Sequence, residues 1–69
     1  MKNIQTKEEY TELKVGEKIK VGRTEYEILG SFVDNNDLFY MTKHLVQGLY
    51  RQYCAIGWSK TYNKVFRHS

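Results

Sequence analysis

The sequence predicts a mainly β protein: a small five-stranded antiparallel barrel or strongly curled sheet, with one short N-terminal helix. Two observations support this prediction. Apolar and polar residues alternate over several short stretches, and glycine or asparagine turns separate these stretches at short intervals. A chain of 69 residues forms one domain, residues 1–69, with a helix at about 7–13 and strands at about 18–22, 24–33, 38–45, 49–58 and 62–67.

The helix is predicted from a capping sequence. Thr6-Lys7-Glu8-Glu9 fits a capping box, in which the Thr6 hydroxyl accepts a bond from a helix N–H and Glu9 reaches back to the backbone of Thr6. Tyr10 and Leu13 then share one face of the helix. Because so short a helix is marginal on its own, it must dock on the sheet. We expect it to cap one open end of the barrel; a recognition role is the alternative.

The first hairpin is predicted at Gly22-Arg23, because glycine at the first central position suits a two-residue turn. One face then holds apolar residues, and the other holds two directly opposed pairs of unlike charge. A slip of one residue would destroy both patterns. The predicted pairs are Val21 with Thr24, Lys20 with Glu25, Ile19 with Tyr26 and Lys18 with Glu27.

A second turn is predicted within Asp34-Asn35-Asn36-Asp37. It pairs Phe32 with Phe39 and Gly30 with Met41, and we expect these residues to continue the inner face begun by the first hairpin. Gly30 lies inside a long strand, where glycine indicates a bend or bulge. This is the feature by which the sheet is expected to curl.

A third turn is predicted at Gln47-Gly48. It places Met41 beside Cys54 and Phe39 beside Ile56, so the inner face extends through two successive hairpins. We therefore expect Cys54 to be a small buried hydrophobe and not a reactive thiol, because no histidine or cation shares its predicted face. The register of the last turn, near residues 59–61, is ambiguous.

Two residues near the last turn are expected in the core. Val65 is placed on the inner face of the final strand, and Trp58, just before the corner, is expected to close the core.

The stretch Leu13-Lys14-Val15-Gly16-Glu17-Lys18-Ile19, with the glycine turn and Tyr26-Glu27-Ile28-Leu29 after it, resembles the opening of many Src homology 3-like small barrels. In those barrels a corner of this kind leads into the first hairpin. The resemblance covers about 17 residues and implies the fold alone, without functional residues.

Composition limits the cellular setting. The one cysteine, Cys54, cannot form an internal disulfide, and no window approaches the roughly 18 apolar residues of a membrane span. The first residues lack the apolar run of a secretory signal. We expect a cytoplasmic protein that does not enter the membrane.

Positive charge is concentrated in the second half of the chain. Residues 1–36 carry six Lys/Arg and seven Asp/Glu, a net charge of −1, whereas residues 37–69 carry five Lys/Arg and only Asp37, a net charge of +4. This asymmetry indicates either a surface for an anionic partner or a solubilising surface.

No constellation of residues indicates catalysis, so we expect that the protein is not an enzyme. The predicted register puts His44 and Cys54 on opposite faces, and no glycine-rich phosphate loop is present. Cys54, His44 and His68 also lack the close paired spacings of structural zinc sites. We expect no cofactor, no metal and no small-molecule substrate.

The outer face of the last three predicted strands is the candidate binding surface, because the same register leaves aromatic residues flanked by cations there. The candidate binding residues are Tyr40, His44, Arg51, Tyr53, Lys64 and Phe66. Lys64 and Phe66 belong to this face if Ser59 pairs with Tyr62. The other members of this predicted face are Leu38, Thr42, Ala55 and Gly57.

Three interpretations of this surface stay open. Tyr, Phe and Arg are enriched at interface hot spots, which favours a protein partner or self-association. The same residue types stack the bases and follow the phosphates of single-stranded DNA or RNA. In the third interpretation the helix buries this face as a second core. We favour a small non-enzymatic module for a protein partner, of the accessory or inhibitory kind found in phages and mobile elements.

Overall fold

A computed structural model of the protein describes residues 2–46 and 50–68. The elements are β1 Lys2–Asn3, α1 Lys7–Thr11, β2 Lys18–Val21, β3 Thr24–Asp34, β4 Asp37–Val46, β5 Tyr50–Ser59 and β6 Lys64–His68. They form one six-stranded sheet whose strands are neighbours in chain order. The predicted fold class is confirmed, since the sheet curls into a half-barrel consistent with a small Src homology 3-like barrel.

The helix begins as its capping sequence predicts. The Glu9 N–H donates to Thr6 Oγ1 at 3.2 Å, and the Glu9 carboxylate accepts from the Thr6 N–H at 3.1 Å. A further bond from the Gln5 N–H is the main reason that the pKa of Glu9 lies below its ordinary value. The helix ends at Thr11, before the predicted end at Leu13. No helix in the described part of the chain has the length and apolar character needed to cross a membrane.

The first hairpin has the predicted register in all four pairs. Gly22 adopts a φ of +61°, a conformation that favours glycine over other residues. The structure adds β1, which was not predicted: Lys2 and Asn3 pair in parallel with Ile19 and Lys20 of β2. Two residues are too few for alternation to reveal a strand.

An extra residue in β3 changes which side chains face the core. Phe32 pairs with Phe39 and Gly30 with Met41 as predicted, but the register shifts at a bulge between Ile28 and Gly30. Because strand side chains alternate, one additional residue moves the rest of β3 to the opposite face. The expectation that these residues continue the inner face is therefore wrong: Phe32 and Met41 are 36% and 41% exposed.

β4 and β5 pair one residue away from the predicted register. Tyr40, and not Phe39, faces Ile56. A slip of one residue transfers every side chain of a strand to the other face, so the even-numbered residues of β4 face the core. The turn predicted at Gln47-Gly48 lies outside the described residues.

The core fills the concave side of the sheet and includes the helix. Tyr10 is only 1% exposed; its hydroxyl donates to the Leu38 carbonyl oxygen at 2.6 Å, and its own carbonyl oxygen accepts from the Tyr40 hydroxyl at 2.8 Å. The two rings meet edge to face at 4.9 Å, and burial raises the pKa of both hydroxyls. The buried apolar cluster consists of Ile4, Tyr10, Leu13, Ile19, Tyr26, Ile28, Tyr40, Ile56 and Val65.

The last hairpin connects β5 to β6 through residues 60–63. Ser59 pairs with Lys64, and the Asn63 N–H donates to the Ser59 carbonyl oxygen at 2.7 Å. Val65 is buried as predicted, and Trp58 and Cys54 are half-buried against the core. β5 and β6 therefore present their side chains on the faces that the sequence predicts.

Candidate functional site

The outer face, the side of β3–β6 that points away from the helix, is built from three rows of side chains that cross the strands. Its members alternate with the core residues along each strand. The rows are Phe32, Phe39, Gly57 and Phe66; then Gly30, Met41, Ala55 and His68; then Glu27, Lys43 and Tyr53.

Four of these side chains form what we call the outer cluster: Phe32, Phe39, Phe66 and His68. Phe32 stacks on Phe39 with ring centroids 5.3 Å apart, and Phe39 lies 4.8 Å from His68. His68 also meets Phe66 edge to face at 6.3 Å. Phe39, at the centre, is only 8% exposed although it lies outside the main core.

Gly57 allows the outer cluster to form. A Cβ at this position would lie 2.8 to 2.9 Å from ring carbons of Phe39 and Phe66, closer than real contacts allow. The absence of a side chain therefore lets two aromatic rings meet over the backbone of β5.

The outer cluster and its neighbours leave apolar surface in solvent. Phe32, Met41 and Phe66 are 36%, 41% and 37% exposed, and Tyr53 is 71% exposed. Cations stand at the rim of this surface. Lys43 Nζ lies 3.9 Å from Glu27 Oε1, and Lys64 Nζ lies 5.9 Å from the centre of the Tyr62 ring.

The structure distributes the predicted binding residues between the two faces. Tyr53, Lys64 and Phe66 lie on the outer side of the sheet and are exposed. Placing Tyr40 and His44 on the outer face was wrong, since both are in the core, at 3% and 4% exposure.

The side chain of Arg51 is not among those that the structure describes. A binding role for Arg51, as for Tyr53, Lys64 and Phe66, stays a prediction.

Sequence reasoning missed four outer-face residues: Phe32, Phe39, Met41 and His68. The predicted pairing places the first three on the inner face, because it does not include the change of face that the β3 bulge causes. Gly30 was the available signal: a bulge next to it moves the following residues outward. His68 could not be placed while the register of the last turn was ambiguous.

The structure also brings together His44 and Cys54, which the predicted register separates. His44 Nδ1 lies 3.5 Å from Cys54 Sγ, and His44 Nε2 lies 3.4 Å from Arg67 Nη2. Burial, with a smaller effect of the Arg67 charge, lowers the pKa of His44. The expectation that Cys54 has no histidine or cation on its own face is therefore wrong.

The tautomer of His44 decides what this pair can do. A guanidinium only donates hydrogen bonds, so Nε2 accepts from Arg67 and the ring proton of neutral His44 stays on Nδ1. In that state His44 donates toward Cys54 Sγ and does not accept the thiol proton. The pair is thus not arranged as a nucleophile with its general base.

Two cavities lie in the described part of the chain, one of them small and the other polar. A cleft of about 160 Å³ lies beside the helix, with Tyr10 and Trp58 in its wall, which is below the usual 300 Å³ or more of small-molecule sites. An open groove of about 610 Å³ is lined mainly by polar and charged residues around the end of the helix. Within residues 2–46 and 50–68, no three His, Cys, Asp or Glu side chains are grouped so that they could hold a metal ion.

Comparisons of the chain with protein-family models, with curated proteins and with solved structures found no match.

Proposed function

We propose that this protein is a small non-enzymatic binding module that engages a protein partner through its outer face. The proposal is carried by one observation: Phe32, Met41 and Phe66, on the same face of the sheet, stay about two-fifths exposed. Contiguous apolar surface of this kind commonly marks an interaction site. An aromatic centre with charged residues at its rim is also the composition of protein interfaces.

Single-stranded DNA or RNA is the second candidate ligand, and Tyr53 is the observation that favours it. Its ring is 71% exposed and is free to stack on a base. The outer cluster favours a protein instead, because its rings pack on one another: Phe32 covers one face of Phe39 at 5.3 Å. Fewer aromatic ring faces therefore remain free for the successive bases of a nucleic acid to stack on.

The proposal describes an accessory or inhibitory factor that acts by occupying a surface of its partner. It includes no cofactor and no reaction, in keeping with a His44 that donates toward Cys54. It places the module in the cytoplasm, which agrees with a single unpaired cysteine.

The test is a capture experiment from lysate of the cells that carry the gene, with and without nuclease and at low and high salt. The wild type is compared with Tyr53→Ala. Tyr62→Ala is the matched control, since Tyr62 is 73% exposed and lies on the β5–β6 turn, away from the rows of the outer face. We expect a protein that survives nuclease and high salt, and that is lost with Tyr53→Ala but kept with Tyr62→Ala.

Two results would contradict this proposal. Recovery of nucleic acid that disappears at high salt and on nuclease treatment would establish the second candidate. Equal capture by both tyrosine variants would remove the outer face from the binding site.

A further inference from the structure

We propose that the free edge of β6 receives an extended acidic segment of the partner as a seventh strand of the sheet. This inference rests on the proposed function, because it takes the partner to be a protein, and it names the chemistry and geometry of the contact. β6 spans Lys64–His68 and pairs only with β5 among the described strands. The backbone groups on its other side are therefore directed away from the sheet.

The edge of β6 is long enough to take another strand. Five residues extend over about 17 Å, and alternate residues direct their N–H and C=O groups outward. The opposite edge of the sheet is β1, which has two residues. Of the two described edges, β6 is thus the one that offers a ladder of backbone donors and acceptors.

Charge determines which strand fits. β6 carries two cations, Lys64 and Arg67. From residue 38 to residue 69 the chain contains no Asp or Glu, so no acidic residue of β5 or β6 offsets these charges. Asp37, which lies 3.8 Å from Lys60, is the last acidic residue in the sequence.

The same charges argue against a second copy of this chain. Two β6 strands side by side would gather two lysines and two arginines, Lys64 and Arg67 of each copy, along one short contact, and like charges on neighbouring strands are destabilising. Positive charge on an edge strand is a common protection against pairing between identical chains. An acidic segment meets no such repulsion.

The side chains of β6 specify a pattern for the incoming strand. Phe66, 37% exposed, is on the outer face, and Arg67 is on the inner side, where its guanidinium contacts His44. A segment that alternates acidic and apolar residues would extend the outer cluster past Phe66 with its apolar side chains and bring its carboxylates to the inner side, beside Arg67. Nucleic acid offers no equivalent backbone ladder.

The test uses a fluorescein-labelled acidic strand peptide, Thr-Glu-Val-Glu-Val-Glu-Thr, with the full chain. Two further versions carry N-methyl groups on either the odd or the even residues, so that each blocks one edge of the peptide. Edge pairing predicts that one methylated version binds like the parent and that the other loses binding, because alternate N–H groups point to opposite edges. Equal binding by both versions would overturn the inference, since attraction by charge alone does not distinguish them.

Two variants with the same change in net charge test whether the peptide binds at the edge of β6. Lys64→Glu is expected to weaken binding of the parent peptide about fivefold or more, because attraction is replaced by repulsion. Arg23→Glu, in the β2–β3 turn, is the matched control and should bind like the wild type. Equal weakening by both variants would also overturn the inference, as would tighter binding of a thymidine oligonucleotide at the same edge.

Amide hydrogen exchange separates this inference from the proposed function. Addition of the parent peptide should slow exchange at amides within residues 64–68. If the peptide instead perturbs Phe32, Met41 and Tyr53 and leaves exchange in β6 unchanged, edge pairing fails while binding at the outer face stands. If it perturbs neither region, edge pairing is overturned, and the capture experiment with Tyr53→Ala decides the proposed function separately.

Discussion

The two faces of the sheet differ in how the described aromatic side chains are packed and in how far they are exposed to solvent. On the inner side three ring side chains make polar contacts: the Tyr10 hydroxyl with the Leu38 carbonyl oxygen, the Tyr40 hydroxyl with the Tyr10 carbonyl oxygen, and His44 with Cys54 and Arg67. On the outer face phenylalanine rings pack on one another and stay partly in solvent. The comparison indicates that the inner face holds the fold together, whereas the outer face is available for binding.

The largest effect is expected from removing the inner-face anchor. Tyr10→Ala should cost about 3 to 5 kcal/mol in the free energy of unfolding, because it deletes a buried ring. For a small domain with a total near 5 kcal/mol, this is close to complete loss of the folded state. Tyr10→Phe should cost about 1 to 2 kcal/mol, since it leaves the Leu38 carbonyl oxygen without its donor. Urea denaturation of both variants measures the difference; an unchanged midpoint for Tyr10→Ala would contradict the assignment of the core.

The next largest effect on stability is expected at Gly57, whose backbone lies beneath the rings of the outer cluster. Gly57→Ala should destabilise the protein by about 1 to 3 kcal/mol, because the new methyl group would press against Phe39 and Phe66. Gly30→Ala is the matched control, since a Cβ there meets no atom within 4 Å. Thermal unfolding measures both variants. Equal unfolding temperatures for the two would show that the outer cluster is not packed as described.

A smaller effect is expected from acid, through His44. Its pKa is lowered in the folded state, so the unfolded chain binds more protons as the pH falls through the ordinary histidine value of about 6.5. Stability should therefore decrease from pH 7.5 to pH 5.5. His44→Gln should reduce this slope, with His68→Gln as the matched control, as measured by urea unfolding at each pH. A slope that persists in full in His44→Gln would contradict the buried, neutral state of His44.

The first hairpin shows how much of the fold the sequence contains. Its charge pairs and apolar face agree in only one register, and Gly22 supplies the turn, so all four pairs are predicted correctly. The capping box at Thr6 is equally local, and its two hydrogen bonds form as predicted. Interactions between residues close in sequence are therefore readable without the structure.

The candidate site was predictable only in part, because its composition depends on long-range register. Phe66 is placed correctly, because the observed pairing of Ser59 with Lys64 differs by two residues from the predicted pairing with Tyr62, and a shift of two keeps each side chain on its face. Tyr40 and His44 are placed wrongly, because a single-residue change at the β3 bulge and at the β4–β5 pairing exchanges the faces. An apolar pattern on both faces of β4 offers no contrast by which the sequence could choose between the two registers.

The smallest effect on stability, with the largest effect on binding, is expected from the exposed rings of the outer face. The double variant Tyr53→Ala/Phe66→Ala tests most directly whether the inner face provides stability and the outer face provides binding. We predict that its free energy of unfolding, measured with urea, stays within about 1 kcal/mol of the wild type, while capture of the protein partner is lost. Tyr62→Ala, treated in parallel, should change neither quantity. A double variant that unfolds readily, or a stable one that still captures the partner, would contradict the assignment of binding to the outer face.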